Sequence, residues 1–107
     1  MTKITASDEN WENTGIRLVV VDQIRKLAAR NHMKKVILFG SRARGDFRRE
    51  SDIDLAVSGG DADMLRLDVE EETDTLLKYD VIDLDGSLRQ QLREIIEQEG
   101  KLLYEKI

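Results

Sequence analysis

No cysteine and no proline occur in this chain of 107 residues, and there is a single histidine, His32. Without cysteine, neither a disulfide framework nor a thiolate metal site can form. A lone histidine with no second imidazole or thiol is expected to cap or decorate the end of a helix. Long apolar runs are missing too: none approaches membrane-spanning length, and Met1-Thr2-Lys3-Ile4-Thr5 lacks the apolar core of a signal peptide. A cytoplasmic location is expected, with no membrane association. Positive charge is in deficit, with 17 Lys and Arg against 22 Asp and Glu and a net charge of −5. That balance excludes a broad grip on a nucleic-acid duplex, which relies on neutralising phosphates. The apolar fraction of 40% and the charged fraction of 36% suit one small domain with much surface.

Against this acidic background stands a local basic cluster, Arg42, Arg44, Arg48 and Arg49, better matched to a triphosphate than to a duplex. It lies within the most informative segment of the chain. The apolar run Val36-Ile37-Leu38-Phe39 ends in Gly40-Ser41, and ten residues separate Ser41 from Asp52-Ile53-Asp54. A glycine lets the backbone approach a ligand closely. A helix starting near Ser41 would turn unpaired N–H groups toward a phosphate. Asp52 and Asp54 open an alternating strand pattern, and residues two apart on a strand share a face, ~6.6 Å apart at the backbone. Two carboxylates so placed can converge on hard divalent cations, which in pairs serve in-line phosphoryl-type displacements. Ser41 can offer its hydroxyl or its N–H to a phosphate, and Arg42 or Arg44 a forked donor set.

Coarse periodicity places a polar N-terminal segment over residues 1–13, loose at its end, followed by a single domain over 14–107. Trp11 in the polar segment can pack on the core or on a partner. Helices are expected over Thr14 to Arg30, Ala62 to Leu77 and Leu88 to Glu99, with a short helix or turn over Ser41 to Gly45. Strands are expected over Lys34 to Phe39, Asp52 to Ser58 and Tyr79 to Leu84. Asp61 or Asp63 would cap the second long helix and Ser87 the last. Alternating strands and helices indicate an α/β or α+β sandwich with a small mixed sheet.

Gly-Ser, a gap of ten residues and Asp-x-Asp resemble the signature of the minimal nucleotidyltransferases of the polymerase-beta superfamily. Arg42-Ala43-Arg44-Gly45 and Ser51 fit residues often found between the two halves, and the likeness runs from about Arg17 to Tyr104. The resemblance implies an α+β fold, a small mixed β-sheet packed with helices as a polymerase-beta-like nucleotidyltransferase core. It implies catalytic and metal-binding roles for Asp52, Asp54 and a third acid on a later strand, and nucleotide contacts at Gly40, Ser41, Arg42 and Ser51. Asp80 and Asp83 are both available as the third acid and, three apart, face opposite ways; the family pattern, an acid followed by two aliphatic residues, selects Asp80. Two Mg²⁺ ions as cofactors and ATP as nucleotide donor follow from the same likeness.

The chain ends directly after the core, so a partner, whether a second copy or a different protein, is expected to complete the cleft. Small proteins with this signature resemble antitoxins paired with helical HEPN-type ribonuclease toxins, in which AMP is moved onto a tyrosine of the toxin. Two alternatives are a module that neutralises a partner without turnover and an enzyme acting on a small molecule of the aminoglycoside type.

Overall fold

A computed structural model describes residues 2–3 and 8–106. Strand β1 is Thr2–Lys3, and a 3-10 helix spans Asp8–Thr14. There follow helix α1 (Leu18–Arg30), strand β2 (Lys35–Phe39), the single-turn helix α2 (Ser41–Arg44) and strand β3 (Ile53–Ser58). Helix α3 (Ala62–Glu72), strand β4 (Tyr79–Asp83), helix α4 (Gln90–Glu99) and strand β5 (Lys101–Lys106) complete the order. The strands form one mixed sheet in the order β1-β5-β2-β3-β4. Among the described residues, β3 and β4 alone run parallel, joined by the crossover helix α3; the other neighbours are antiparallel. This is the small mixed sheet with helices expected of the α+β class.

Alternation along β3 divides its side chains between two layers. Ile53, Leu55 and Val57 join the main core with Val20, Ile24 and Leu27 of α1 and Leu65 and Val69 of α3. Ala56 faces the other way and packs with Phe39 of β2 and Ile96 of α4. The two long helices on the first face are clasped by polar side chains: Asn31 and Arg30 both reach Asp68, and Arg30 also pairs with Glu72. The Asn31 amide and the Arg30 guanidinium hold the Asp68 carboxyl below its usual range.

Several boundaries differ from the sequence expectation. Helix α1 begins at Leu18 rather than Thr14, because the Thr14 hydroxyl accepts the Ile16 N–H and Gly15 takes φ +68°. Of the two places open to Trp11, the structure gives it the core: it is 0% exposed there, stacked near Arg25 and Lys101. Helix α3 stops at Glu72, where the Thr73 hydroxyl bonds the Val69 carbonyl and the Tyr79 hydroxyl. Asp61 caps α3 as expected, accepting the Met64 N–H at 3.0 Å. Ser87 does not cap α4, whose N-cap is Arg89 with no side-chain bond. Strand β5 was not expected at all. It occupies an interior place in the sheet, beside β2, with a register irregularity that lets the consecutive residues Leu103 and Tyr104 both be buried. His32 holds φ +58° just past α1, the left-handed turn that stops the helix.

Candidate active site

β3 and β4 bring the acids together. In their parallel register Asp54 lies opposite Asp80, so the two side chains share a face. Asp52, two residues before Asp54 and exposed, precedes the strand on the same side. Proximity is visible in the titration of Asp54, whose carboxyl is pushed up to about 6. Burial is the largest cause, repulsion from Asp80 and Asp52 adds to it, and Arg44 and Arg42 oppose it. Asp83 is on the other face; it ends β4 by accepting the Asp85 N–H at 2.9 Å, in the turn expected there.

The Gly-Ser turn abuts these acids. Phe39 at the end of β2 pairs with Asp54, so the next residue, Gly40, passes directly over the Asp54 side chain. Gly40 has φ +78° and ψ −159°, and a Cβ there would stand 2.2 Å from Asp54 Oδ2. That backbone region is essentially confined to glycine. Ser41 then opens α2, half-buried. The first N–H groups of a helix have no partner within it, so the turn presents donors next to a carboxylate cluster.

Arg42, expected to contact the nucleotide, is turned into the protein. It is 2% exposed. Its Nε donates to the Ser51 carbonyl and its Nη1 to the Thr14 carbonyl, at 3.0 and 2.9 Å. Its Nη2 donates to the carbonyls of Arg49 and Arg48, and the guanidinium stacks 4.7 Å from the Phe47 ring centre. With its donors spent on backbone carbonyls, Arg42 clasps the 46–51 loop that delivers Asp52. Burial lowers the pKa of its guanidinium. Ser51, also expected to contact the nucleotide, belongs to the same loop: its oxygen accepts the Arg48 N–H at 2.8 Å. Nothing local in the sequence separates Arg42 from Arg44; only the tertiary position of Thr14 does.

Arg44 is the arginine left on the surface. It bonds Asp46 at 3.2 Å and Glu99 of α4 at 3.0 Å, and its charge lowers the pKa of Asp54. A cleft of about 680 Å³ lies elsewhere: His32, Lys34, Lys35, Ser58 and Lys106 line it at the opposite end of β2 and β3. Asp52 and Asp80 are exposed, with Asp54 half-buried beside them. Among the described residues no three acidic, histidine or cysteine side chains are drawn together closely enough to hold a metal ion between them. Asp52, Asp54 and Asp80 are hard oxygen donors, of the kind that could hold a divalent cation shared with substrate phosphates. No helix among the described residues is long and apolar enough to cross a membrane.

A mixed sheet with Asp54 and Asp80 side by side, and a glycine turn laid over one of them, defines a nucleotidyltransferase fold. The chain belongs to that family: residues 22–107 match the model "Polymerase beta, Nucleotidyltransferase". It is 49% identical over 53 residues to a Methanocaldococcus jannaschii protein named "Putative protein adenylyltransferase MJ0604". That match covers 50% of this chain and 51% of the relative, so the chain spans about half the length of the curated relative it matches. A toxin–antitoxin complex solved with AMP-PNP contains a chain 29% identical, with a TM-score of 0.65 over 80% of this chain and 73% of that one. A mutant of the toxin–antitoxin pair MntA–HpeT is similar at 27% identity and a TM-score of 0.64, again over 80% and 73% of the two chains.

Proposed function

We propose that the chain is a Mg²⁺-dependent nucleotidyltransferase that moves AMP from ATP onto a hydroxyl of a partner protein, acting as the antitoxin of a HEPN-type ribonuclease toxin. One observation carries this reading: Asp54 and Asp80 are register partners on one sheet face, with Gly40 backbone against the Asp54 carboxylate. The adenylyltransferase name of one relative and the AMP-PNP in another structure support the adenine nucleotide and the protein acceptor. Two toxin–antitoxin complexes among the similar structures support the toxin partner.

Asp52, Asp54 and Asp80 would hold the cations, which when bound neutralise the triphosphate and the pyrophosphate that leaves. Ser41 and the backbone after Gly40 grip phosphate oxygens. Arg44 exchanges Asp46 and Glu99 for the outer phosphates, a forked donor meeting a better acceptor. The acceptor oxygen attacks the α-phosphorus, the bond to the β-phosphate oxygen breaks, and pyrophosphate departs in line. The hydroxyl proton passes to Asp80, which lies at the open edge of the sheet where an acceptor can enter.

The test mixes the purified chain with the protein encoded by the neighbouring reading frame, Mg²⁺ and ATP, and reads the neighbour's mass. It should rise by AMP units with the native chain and not with Asp54→Asn. A mass unchanged with every nucleoside triphosphate would sink the protein-acceptor reading and favour a partner-binding module without turnover.

A further inference from the structure

The sheet face that carries the acids is covered less completely than the other. On it Phe39, Ala56 and Ile96 are buried, but Ile82, Leu84, Leu88 and Leu92 around them are only partly so. Ile95, on α4 beside Ile96, is 43% exposed. Of the ten residues of α4 only Ile96 is buried, although helices in proteins draw most of their stability from packing an apolar face. Apolar surface left partly uncovered and rimmed by polar residues is where a partner can gain contact area.

This strip is continuous with the candidate active site. Ala56 and Ile82 are register partners, each two residues beyond Asp54 and Asp80 on the same face. At its other side Glu99, the last residue of α4, is tied to Arg44 of α2. Anything that lies on the strip therefore lies against the acids. Strand addition at the β4 edge is disfavoured, because Arg66 Nη2 already takes the outward Val81 carbonyl at 2.9 Å.

Charge selects the occupant. From Asp80 to Glu99 inclusive, leaving aside Asp83 on the other face, there are five acids and two arginines. A second copy of the chain would bring the same negative surface against its own. We propose that the strip formed by β4 and α4, centred on Ile82, Leu92 and Ile95, docks a positively charged partner protein by an apolar contact inside an acidic rim. The nucleotidyl-transfer reading enters only in identifying what this partner is for: docked there, its hydroxyl is held over Asp80. Binding itself is measurable without turnover.

The probe is the protein encoded by the neighbouring reading frame, titrated calorimetrically against three forms of the full chain. Ile95→Lys, at an exposed position, should keep the native denaturation midpoint and Mg²⁺–ATP affinity yet bind the probe at least tenfold more weakly. Asp54→Asn should bind the probe as the native chain does while transferring nothing, so a failed docking surface and a failed transfer reading give different results. Hydrogen exchange in the complex should slow over residues 80–84 and 88–99. Native affinity in Ile95→Lys, protection confined to α1 and α3, absence of any complex, or a self-dimer dissolved by Ile95→Lys would each overturn the proposal.

Discussion

Alanine at position 40 would force a choice between the turn and the acid beneath it. The added methyl stands 2.2 Å from Asp54 Oδ2, well inside any tolerated contact, and the backbone is at φ +78°, ψ −159°. Holding a side-chain-bearing residue in that region costs about 1–3 kcal/mol. Pushing the Asp54 carboxylate off its rotamer adds about 0.5–1.5 kcal/mol. Gly40→Ala should therefore lose about 2–4 kcal/mol, read as a lower urea midpoint at unchanged slope. Because Asp54 must move by about an ångström, AMP transfer should fall by ~10²-fold. Gly45→Ala is the control: it also sits at positive φ, +91°, but its nearest neighbour, the Asn13 carbonyl, is at an ordinary 3.7 Å. It should cost about 1–2 kcal/mol and leave transfer nearly intact in the folded protein. Native stability and turnover in Gly40→Ala, or equal loss of turnover in both variants, would refute the idea that Gly40 exists to clear Asp54.

Three further outcomes follow from the same geometry. In the metal-free protein Asp54 titrates at about 6 against an ordinary 3.8, so the folded state holds this proton more tightly than the unfolded chain. Its contribution thus favours folding below about pH 4 and declines as pH rises to about 6; Asp54→Asn should be more stable than the native chain at pH 7–8 by on the order of 1–2 kcal/mol, and equal to it below pH 4. Superimposable pH–stability curves would contradict this. Arg42→Ala should destabilise by about 3 kcal/mol or more, because several charge-assisted bonds to backbone carbonyls are lost at once; Arg42→Lys, lacking the fork, should recover only part of it, and a thermal scan within a degree of native for either would argue against the clasp. Asp80→Asn should cut transfer far more than it weakens nucleotide binding, whereas Asp83→Asn should leave transfer intact; the reverse order in a single-turnover assay would move the third acid to Asp83.

How much of this was readable beforehand depended on whether a signal was local. Strand alternation put Asp52 and Asp54 on one face, and a period of two or 3.6 survives any tertiary arrangement. Asp61 and Asp63 before a helical pattern announced a cap for the same reason, and the structure gives it to Asp61. Thr14 to Leu18 misled, since helical periodicity continued through residues whose hydroxyl and glycine conformations end it. β5 was hidden because Lys101 to Lys106 has consecutive apolar residues rather than alternation, and only the irregular register with β2 makes a strand of them.

The chain's own order of residues determined the glycine turn, the paired aspartates, the lack of thiolate chemistry and the alternation of strands with helices. These are properties of neighbours, set by backbone sterics and side-chain type. Tertiary structure alone decided which arginine faces solvent, because Arg42 finds the Thr14 carbonyl 28 residues away while Arg44 finds Glu99 across 55. It also decided that Asp80 stands beside Asp54, through the parallel register of β3 and β4. Pairing between distant segments is chosen by the packing of whole layers, and no window of sequence contains that choice.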